Sequence, residues 1–119
     1  NSSIMYNIQE MDAQELYDLL QEGKVQEENS DSKKFKFLDV RTPAEVARGK
    51  IAGCENIPLH LIPLKVDEFG ADEKIVIYCQ TGARSGQACA FLSSKGITNA
   101  INVRGGIVSW AQMGFPISA

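Results

Sequence analysis

The chain has 119 residues, of which 44% are hydrophobic and 23% charged, and its net charge at pH 7 is −3. This length suits one compact unit, so we expect a single domain over residues 1–119. We expect no nucleic-acid partner, because a phosphate-binding surface needs an excess of lysine and arginine. We also expect no membrane span, since no apolar run approaches the roughly 18 residues that a spanning helix requires.

The sequence begins at Asn1 without a methionine, which is compatible with a trimmed chain, a mature form or a domain cut from a longer protein. Its first residues do not combine a positively charged region with an apolar one, as a secretory signal would. We expect a cytoplasmic location, with a periplasmic or organellar mature form as the alternative.

The first predicted element is a helix that begins after Asp12. The stretch "DAQELYDLL" spaces its apolar residues on one helical face, and Asp12 and Glu15 can form a capping box. The next stretch, "QEGKVQEENSDSKK" over 21–34, is polar and has no periodicity, so it is predicted to be a solvated loop.

A strand and a short helix are predicted next. "FKFLDV" over 35–40 is rich in strand formers, and "RTPAEVARG" then offers Thr42 as a cap with Pro43 at the first helical position and Glu45 closing the box. "CENIPL" predicts a brief strand that Pro58 ends, and "HLIPLKVDEF" a short helix despite Pro63.

The second half of the chain alternates strands and helices. "KIVIYC" over 74–79 is a continuous apolar run typical of a central parallel strand, and "NAINV" over 99–103 predicts another strand. "SGQACAFLSSKG" and "GIVSWAQMG" predict helices that end at Gly96 and Gly114. The fold class is therefore α/β, with a largely parallel central sheet of about five strands and helices on both faces.

Cys79 lies where the predicted central strand ends, and ligands of open α/β sheets bind at that edge. The following "QTGAR" can direct several backbone N–H groups at one point, because Gly82 is free to adopt a left-handed conformation. A free thiol is only about 3% ionised at pH 7, and a helix dipole alone adds too little to change this. We therefore expect converging N–H donors and the Arg84 guanidinium to stabilise a Cys79 thiolate together.

Other chemistries lack the residues they need. Cys54 and Cys89 are predicted to be small buried hydrophobes. His60 is the only histidine and is predicted to have a surface or packing role, without acting as a base for Cys79. No cysteine, histidine and carboxylate cluster has metal spacing, and no phosphate loop is present, so we expect neither a metal nor a cofactor.

Three motifs resemble those of the single-domain rhodaneses, which are thiosulfate or polysulfide sulfurtransferases. "LDVRTPAEVARGKIAGCENIPL" is similar to the family's D-V-R…E…G-H-I-x-G-A-x-N-I-P, "YCQTGARS" to its C-x-x-G-x-R-S active loop, and "VRGGIVSW" to its terminal G-G…W. They occur in the family's order and cover nearly the whole chain. Two departures are Lys50, where the family has histidine, and Cys54, where it has a small residue.

The resemblance implies an enzyme, a thiosulfate sulfurtransferase. Cys79 would take a sulfane sulfur from a small anionic donor, thiosulfate or polysulfide, and pass it from a persulfide to cyanide, a thiol or a protein acceptor. Arg84 would be catalytic beside it, and Asp39 and Arg41 would support the loops behind the pocket. The loop residues that would bind substrate are Gln80, Thr81, Gly82, Ala83 and Ser85.

Two further functions stay open at this point. A phosphatase or arsenate reductase of the same fold is disfavoured, because its loop resembles C-x-x-x-x-x-R, one residue longer than the stretch from Cys79 to Arg84. A sulfur-relay or binding module would instead use Cys79 to serve one specific protein acceptor. An inert buried thiol is the simplest alternative, but it does not require a glycine-containing loop that leads to arginine.

Overall fold

The computed structural model describes residues 8–28, 35–70 and 72–119. Five strands form one parallel sheet in the order β1-β5-β4-β2-β3, which confirms the predicted α/β architecture. The strands are β1 Gln9–Met11, β2 Phe35–Asp39, β3 Glu55–Asn56, β4 Lys74–Tyr78 and β5 Ala100–Val103.

Strand β4 is the central strand, as its apolar sequence predicted. The four residues from Ile75 to Tyr78 have no exposed surface, because neighbouring strands and helices on both faces cover them. In the register of the sheet, Tyr78 pairs with Asp39 on β2, and Ile77 pairs with Asn102 on β5. The carboxyl ends of these three strands therefore lie side by side at one edge of the sheet.

Helices cover both faces of the sheet. Helix α1 (Ala13–Glu28) and helix α4 (Gly106–Gln112) pack on one face, and helix α3 (Ala83–Ser94) packs with the 3₁₀ helix Leu59–Glu68 on the other. Helix α2 (Pro43–Ala47) follows β2 directly. None of the helices in the described parts of the chain has the length and apolar character needed to cross a bilayer.

The two predicted capping boxes are present. The Asp12 carboxylate accepts the Glu15 N–H at 2.8 Å, while the Glu15 carboxylate accepts the Asp12 N–H at 2.8 Å. Thr42 and Glu45 exchange the same pair of bonds at the start of α2, with Pro43 at the first helical position. Local chemistry therefore determines where both helices begin.

The predicted loop over 21–34 is wrong for its first part, because α1 continues to Glu28. Glutamine, glutamate and lysine form helices well, and their propensity outweighs the missing apolar periodicity and Gly23. Residues 29–34 lie outside the described residues. Strand β1 was not predicted: it has three residues, is largely exposed, and forms by pairing with β5 at the edge of the sheet.

Candidate active site

Cys79 lies directly after β4, and the backbone that follows wraps around its sulfur. Its Sγ atom accepts N–H groups from Gly82 at 3.1 Å and from Ser85 at 3.3 Å. The Ser85 hydroxyl lies 3.4 Å from the same sulfur. Because Cys79 is 1% exposed, these donors rather than bulk water solvate the sulfur. The loop from Cys79 to Ser85, here named the active loop, therefore forms a cradle of the predicted kind.

This arrangement favours the thiolate. Burial acts to raise the pKa of Cys79, but the Ser85 hydroxyl and the backbone amides of Ser85, Gly82 and Thr81 lower the pKa below its ordinary value. Burial raises the pKa of Cys89 to about 12 and also raises the pKa of Cys54. Of the three cysteines, Cys79 is therefore the one whose surroundings favour the thiolate.

Gly82 makes the turn of the active loop possible. Its φ of 103° lies in the left-handed region, where a side chain would be strained. It is the cap residue of α3, whose first turn carries the Ser85 amide toward the sulfur. The Thr81 and Ala83 side chains are exposed, and of these two residues Thr81 acts on the sulfur through its backbone amide.

The glycine pair that precedes α4 brings that helix against the active loop. A Cβ atom on Gly106 would lie 2.5 Å from the carbonyl oxygens of both Cys79 and Gln80, so no larger residue fits without displacing the loop. The first turn of α4 holds the same carbonyls: Ile107 N–H donates to Cys79 at 3.0 Å and Val108 N–H to Gln80 at 3.1 Å. The motif "VRGGIVSW" thus anchors the active loop, which lies in the motif "YCQTGARS".

Arg84 lies near the sulfur but its hydrogen bonds go to α2. Its two terminal nitrogens donate to the Glu45 carboxylate at 2.8 and 2.9 Å, forming a two-point ion pair between the active loop and α2. The Arg84 and Thr42 hydrogen bonds lower the pKa of Glu45 to about 2. The pairing with Glu45 likewise raises the pKa of Arg84, to which the nearby Cys79 adds a smaller electrostatic effect. Arg84 therefore acts on the sulfur through space, without a hydrogen bond.

Asp39 and Arg41 form a buried pair behind the active loop. Arg41 donates to both carboxylate oxygens of Asp39, to the Gly49 carbonyl at 2.6 Å and to the Gln80 side chain at 3.3 Å. Burial acts to lower the pKa of Arg41, but the bonds and charge of Asp39 leave the pKa above its ordinary value. The pair connects the end of β2 to the second residue of the active loop.

The turn from Lys50 to Cys54, where the sequence departs from the family's pattern, is held by hydrogen bonds to two other parts of the chain. The backbone of Lys50 exchanges hydrogen bonds with Ser118, and the Tyr78 hydroxyl accepts the Ile51 N–H at 3.0 Å. The same hydroxyl lies 3.5 Å from the Cys54 sulfur, and Cys54 is half-buried rather than fully buried as predicted. Cys89 is buried, as predicted, and His60 is exposed, which fits the surface alternative of its prediction.

Sequence reasoning missed Asn102, which is 3% exposed on β5. Its side-chain carbonyl accepts the Ser85 hydroxyl at 2.5 Å, and its amide group donates to the Gly82 carbonyl at 3.3 Å. The available signal was a single amide side chain inside the otherwise apolar stretch "AINV", since buried polar side chains need partners.

A groove of about 550 Å³ opens beside the active loop. The end nearest the loop carries polar side chains, including Gln80 and Arg41, and helix α4 supplies apolar ones such as Val108. Val108 and Ile117 are both large hydrophobic residues that remain exposed. The groove therefore combines cationic and apolar surface. Its lining residues are Arg41, Glu45, Arg48, Gly49, Gln80, Ile107, Val108, Ala111, Gln112 and Ile117.

The fold and the site together define a class: an α/β domain that presents one activated cysteine in a backbone cradle at the carboxyl edge of its sheet. Residues 12–113 match the rhodanese-like domain family. The chain belongs to the rhodanese-like family, as its three motifs predicted.

Relatives and solved structures agree with this assignment. The chain is 47% identical over 90 residues to a sulfurtransferase of Allochromatium vinosum, covering 76% of this chain and 84% of that one. It is 31% identical to thiosulfate sulfurtransferase 16, chloroplastic, of Arabidopsis thaliana, covering 71% and 80% of the two chains. A rhodanese-related protein from Thermoplasma volcanium superimposes with a TM-score of 0.75 at 33% identity, covering 92% of this chain and 97% of that one.

Proposed function

We propose that this protein is a sulfurtransferase that carries a sulfane sulfur from thiosulfate or polysulfide as a Cys79 persulfide. The observation that carries the proposal is the solvation of the Cys79 sulfur by two amides and a hydroxyl, which lowers the thiol pKa despite burial. A thiolate in this position is a nucleophile ready for covalent catalysis. The names of the relatives from Allochromatium and Arabidopsis support the same activity.

The chemistry takes two steps. The Cys79 thiolate attacks the outer sulfur of thiosulfate, a new sulfur–sulfur bond forms, the bond within thiosulfate breaks, and sulfite leaves with the electron pair. An acceptor nucleophile then attacks the outer sulfur of the persulfide, and the electron pair of that bond returns to Cys79. The amides of the active loop stabilise the sulfur each time it carries negative charge.

The spacing of the donors favours sulfur over phosphate as the transferred group. The two amides and the Ser85 hydroxyl all lie within 3.4 Å of Sγ, so the cradle is built around the cysteine sulfur itself. The active loop is also one residue shorter than the phosphatase and arsenate reductase pattern. Turnover of an aryl phosphate that disappears in Cys79→Ser would revive the phosphatase alternative.

The groove beside Gln80 supports an acceptor larger than cyanide. Its volume of about 550 Å³ lies within the range of pockets that hold drug-sized molecules, far larger than a two-atom anion needs. A thiol with an attached body, either a small thiol or a protein side chain, would bind this surface beside Gln80, the residue that follows Cys79. A protein acceptor bound in this groove would make the protein both a sulfurtransferase and a sulfur-relay module.

Thiocyanate formation from thiosulfate and cyanide tests the activity. We expect turnover by the unaltered protein, none by Cys79→Ser, and near-normal turnover by the matched variant Cys89→Ser, whose cysteine has a raised pKa. Turnover that survives in Cys79→Ser would refute the role of Cys79. Absence of turnover with thiosulfate and with polysulfide, using either cyanide or thiol acceptors, would refute the proposed reaction.

A further inference from the structure

Asn102 is a buried amide whose orientation is determined by three partners. Its Nδ2 atom donates to the Gly82 carbonyl at 3.3 Å and to the Glu10 carboxylate at 3.0 Å, and both of these groups can only accept. Its Oδ1 atom therefore faces the Ser85 hydroxyl, 2.5 Å away. Asn102 thus presents an acceptor to the residue that also contacts the Cys79 sulfur.

The Ser85 hydroxyl has one hydrogen and two candidate acceptors, Oδ1 of Asn102 at 2.5 Å and Sγ of Cys79 at 3.4 Å. When Cys79 is a thiol, its S–H can donate to the hydroxyl oxygen while the hydroxyl donates to Asn102. When Cys79 is a thiolate, the sulfur has no hydrogen and carries the charge, so the hydroxyl gains most by turning to the sulfur. That turn leaves Oδ1 of Asn102 without its donor.

We propose that Asn102 is a positioning residue that competes with the Cys79 sulfur for the Ser85 hydroxyl, so that the hydroxyl donates to sulfur only while the sulfur is anionic. The inference rests on the proposed role of Cys79 as the sulfur carrier. When the persulfide forms, the negative charge moves from Sγ to the outer sulfur and the hydroxyl turns to Asn102. When the acceptor removes the outer sulfur, Sγ regains the electron pair and the hydroxyl turns back.

Such competition suits a thiolate that must both attack and leave. A sulfur held too strongly as an anion loses nucleophilicity, and an attacking thiol works best when its pKa lies near the ambient pH. Asn102 limits the stabilisation of the anion because each deprotonation costs Asn102 a hydrogen bond.

Other titratable groups also surround Cys79, and of these only Glu10 loses a hydrogen-bond partner when Asn102 is altered. Arg84 and Cys89 on α3 interact electrostatically with Cys79. Glu10 on β1 lies beyond Asn102, where Arg104 approaches it at 3.4 Å. Asp39 on β2 is paired with Arg41, and Glu45 on α2 is paired with Arg84.

The test is the thiol pKa of Cys79, read from the pH dependence of its alkylation rate by peptide mass mapping. Asn102→Leu removes the competing acceptor at similar volume, and we expect the pKa to fall by about half a unit to one unit. Asn102→Asp keeps the shape but adds a stronger acceptor and a negative charge, so we expect the pKa to rise. Ser85→Ala should raise the pKa of Cys79. In that background, adding Asn102→Leu should cause no further change in the pKa.

Ile101→Ala is the matched control. Ile101 is also buried on β5, at 8% exposed, but its side chain points to the face of the sheet opposite to that of Asn102. It should lower stability without moving the pKa. A rise of the pKa in Asn102→Leu, or a shift that persists in the Ser85→Ala background, would overturn the proposal. If Asn102→Leu does not fold, an unchanged or lowered pKa in Asn102→Asp overturns it. Failure of sulfur transfer by the unaltered protein would instead refute the proposed function.

Discussion

Replacing Gly106 by alanine should disturb the active loop from outside. Gly106 has a φ of 58°, and its added Cβ would lie 2.5 Å from two carbonyl oxygens of the active loop. Alanine in the left-handed region costs about 1–2 kcal/mol, and forcing the loop to retreat by about 1 Å costs a further 1–3 kcal/mol. We therefore expect the free energy of unfolding to fall by about 2–5 kcal/mol.

Gly114→Ala is a matched control at the other end of α4. Its φ of 85° is also left-handed, but a Cβ there meets nothing within 4 Å. It should lower the free energy of unfolding by only about 1–2 kcal/mol, since backbone strain is its one cost. Urea denaturation of both variants isolates the steric contribution at Gly106 as the difference between them.

The same pair of variants reports on the site. Displacing the loop carbonyls would weaken the bonds that Ile107 and Val108 donate to them, and would move the amides away from the Cys79 sulfur. A misplacement of about 1 Å can lower a catalytic rate by about 100-fold. We expect Gly106→Ala to slow both alkylation of Cys79 and sulfur transfer, while Gly114→Ala leaves both near normal. Equal stability and equal rates in the two variants would refute the anchoring of the active loop by α4.

Three further outcomes follow from the contacts described. Glu45→Gln should cost at most about 1 kcal/mol at pH 7, because its ion pair with Arg84 is partly exposed. The folded pKa of Glu45 is lowered from 4.5 to about 2, so urea unfolding should show the wild-type advantage in full above pH 4.5 and its loss as the pH falls toward 2. Tyr78→Phe leaves the buried Ile51 N–H unpaired, so calorimetry should show a loss of about 1–3 kcal/mol in the free energy of unfolding. Sulfur transfer should not slow. At pH 6.5, Cys79 should alkylate faster than the other two cysteines in peptide mapping; equal rates would contradict its activation.

The features that sequence predicted well are those that short-range chemistry determines. The caps at Asp12 and Thr42 depend on residues three positions apart, and the central strand is recognisable because its apolar residues run without interruption. The cradle after Cys79 was predictable for the same reason, since its amides lie within six residues of the sulfur.

The features that sequence missed depend on residues far apart in the chain. Strand β1 exists because it pairs with β5, about 90 residues later, and nothing in its own three residues indicates this. Glu45 takes Arg84 as a partner across 39 positions, and nothing in either local sequence indicates this ion pair. Asn102 could be noted as polar within an apolar strand, but its contact with Ser85 follows only from how β5 and α3 meet.

The central claim is that Cys79 itself carries the transferred sulfur. Intact mass measurement after incubation with thiosulfate, followed by removal of the excess donor, tests it directly. We expect the wild-type chain and Cys89→Ser each to gain the mass of one sulfur atom, to lose it on adding cyanide, and Cys79→Ser to gain nothing. A wild-type chain that gains no sulfur, or a Cys79→Ser chain that gains it undiminished, would contradict the account.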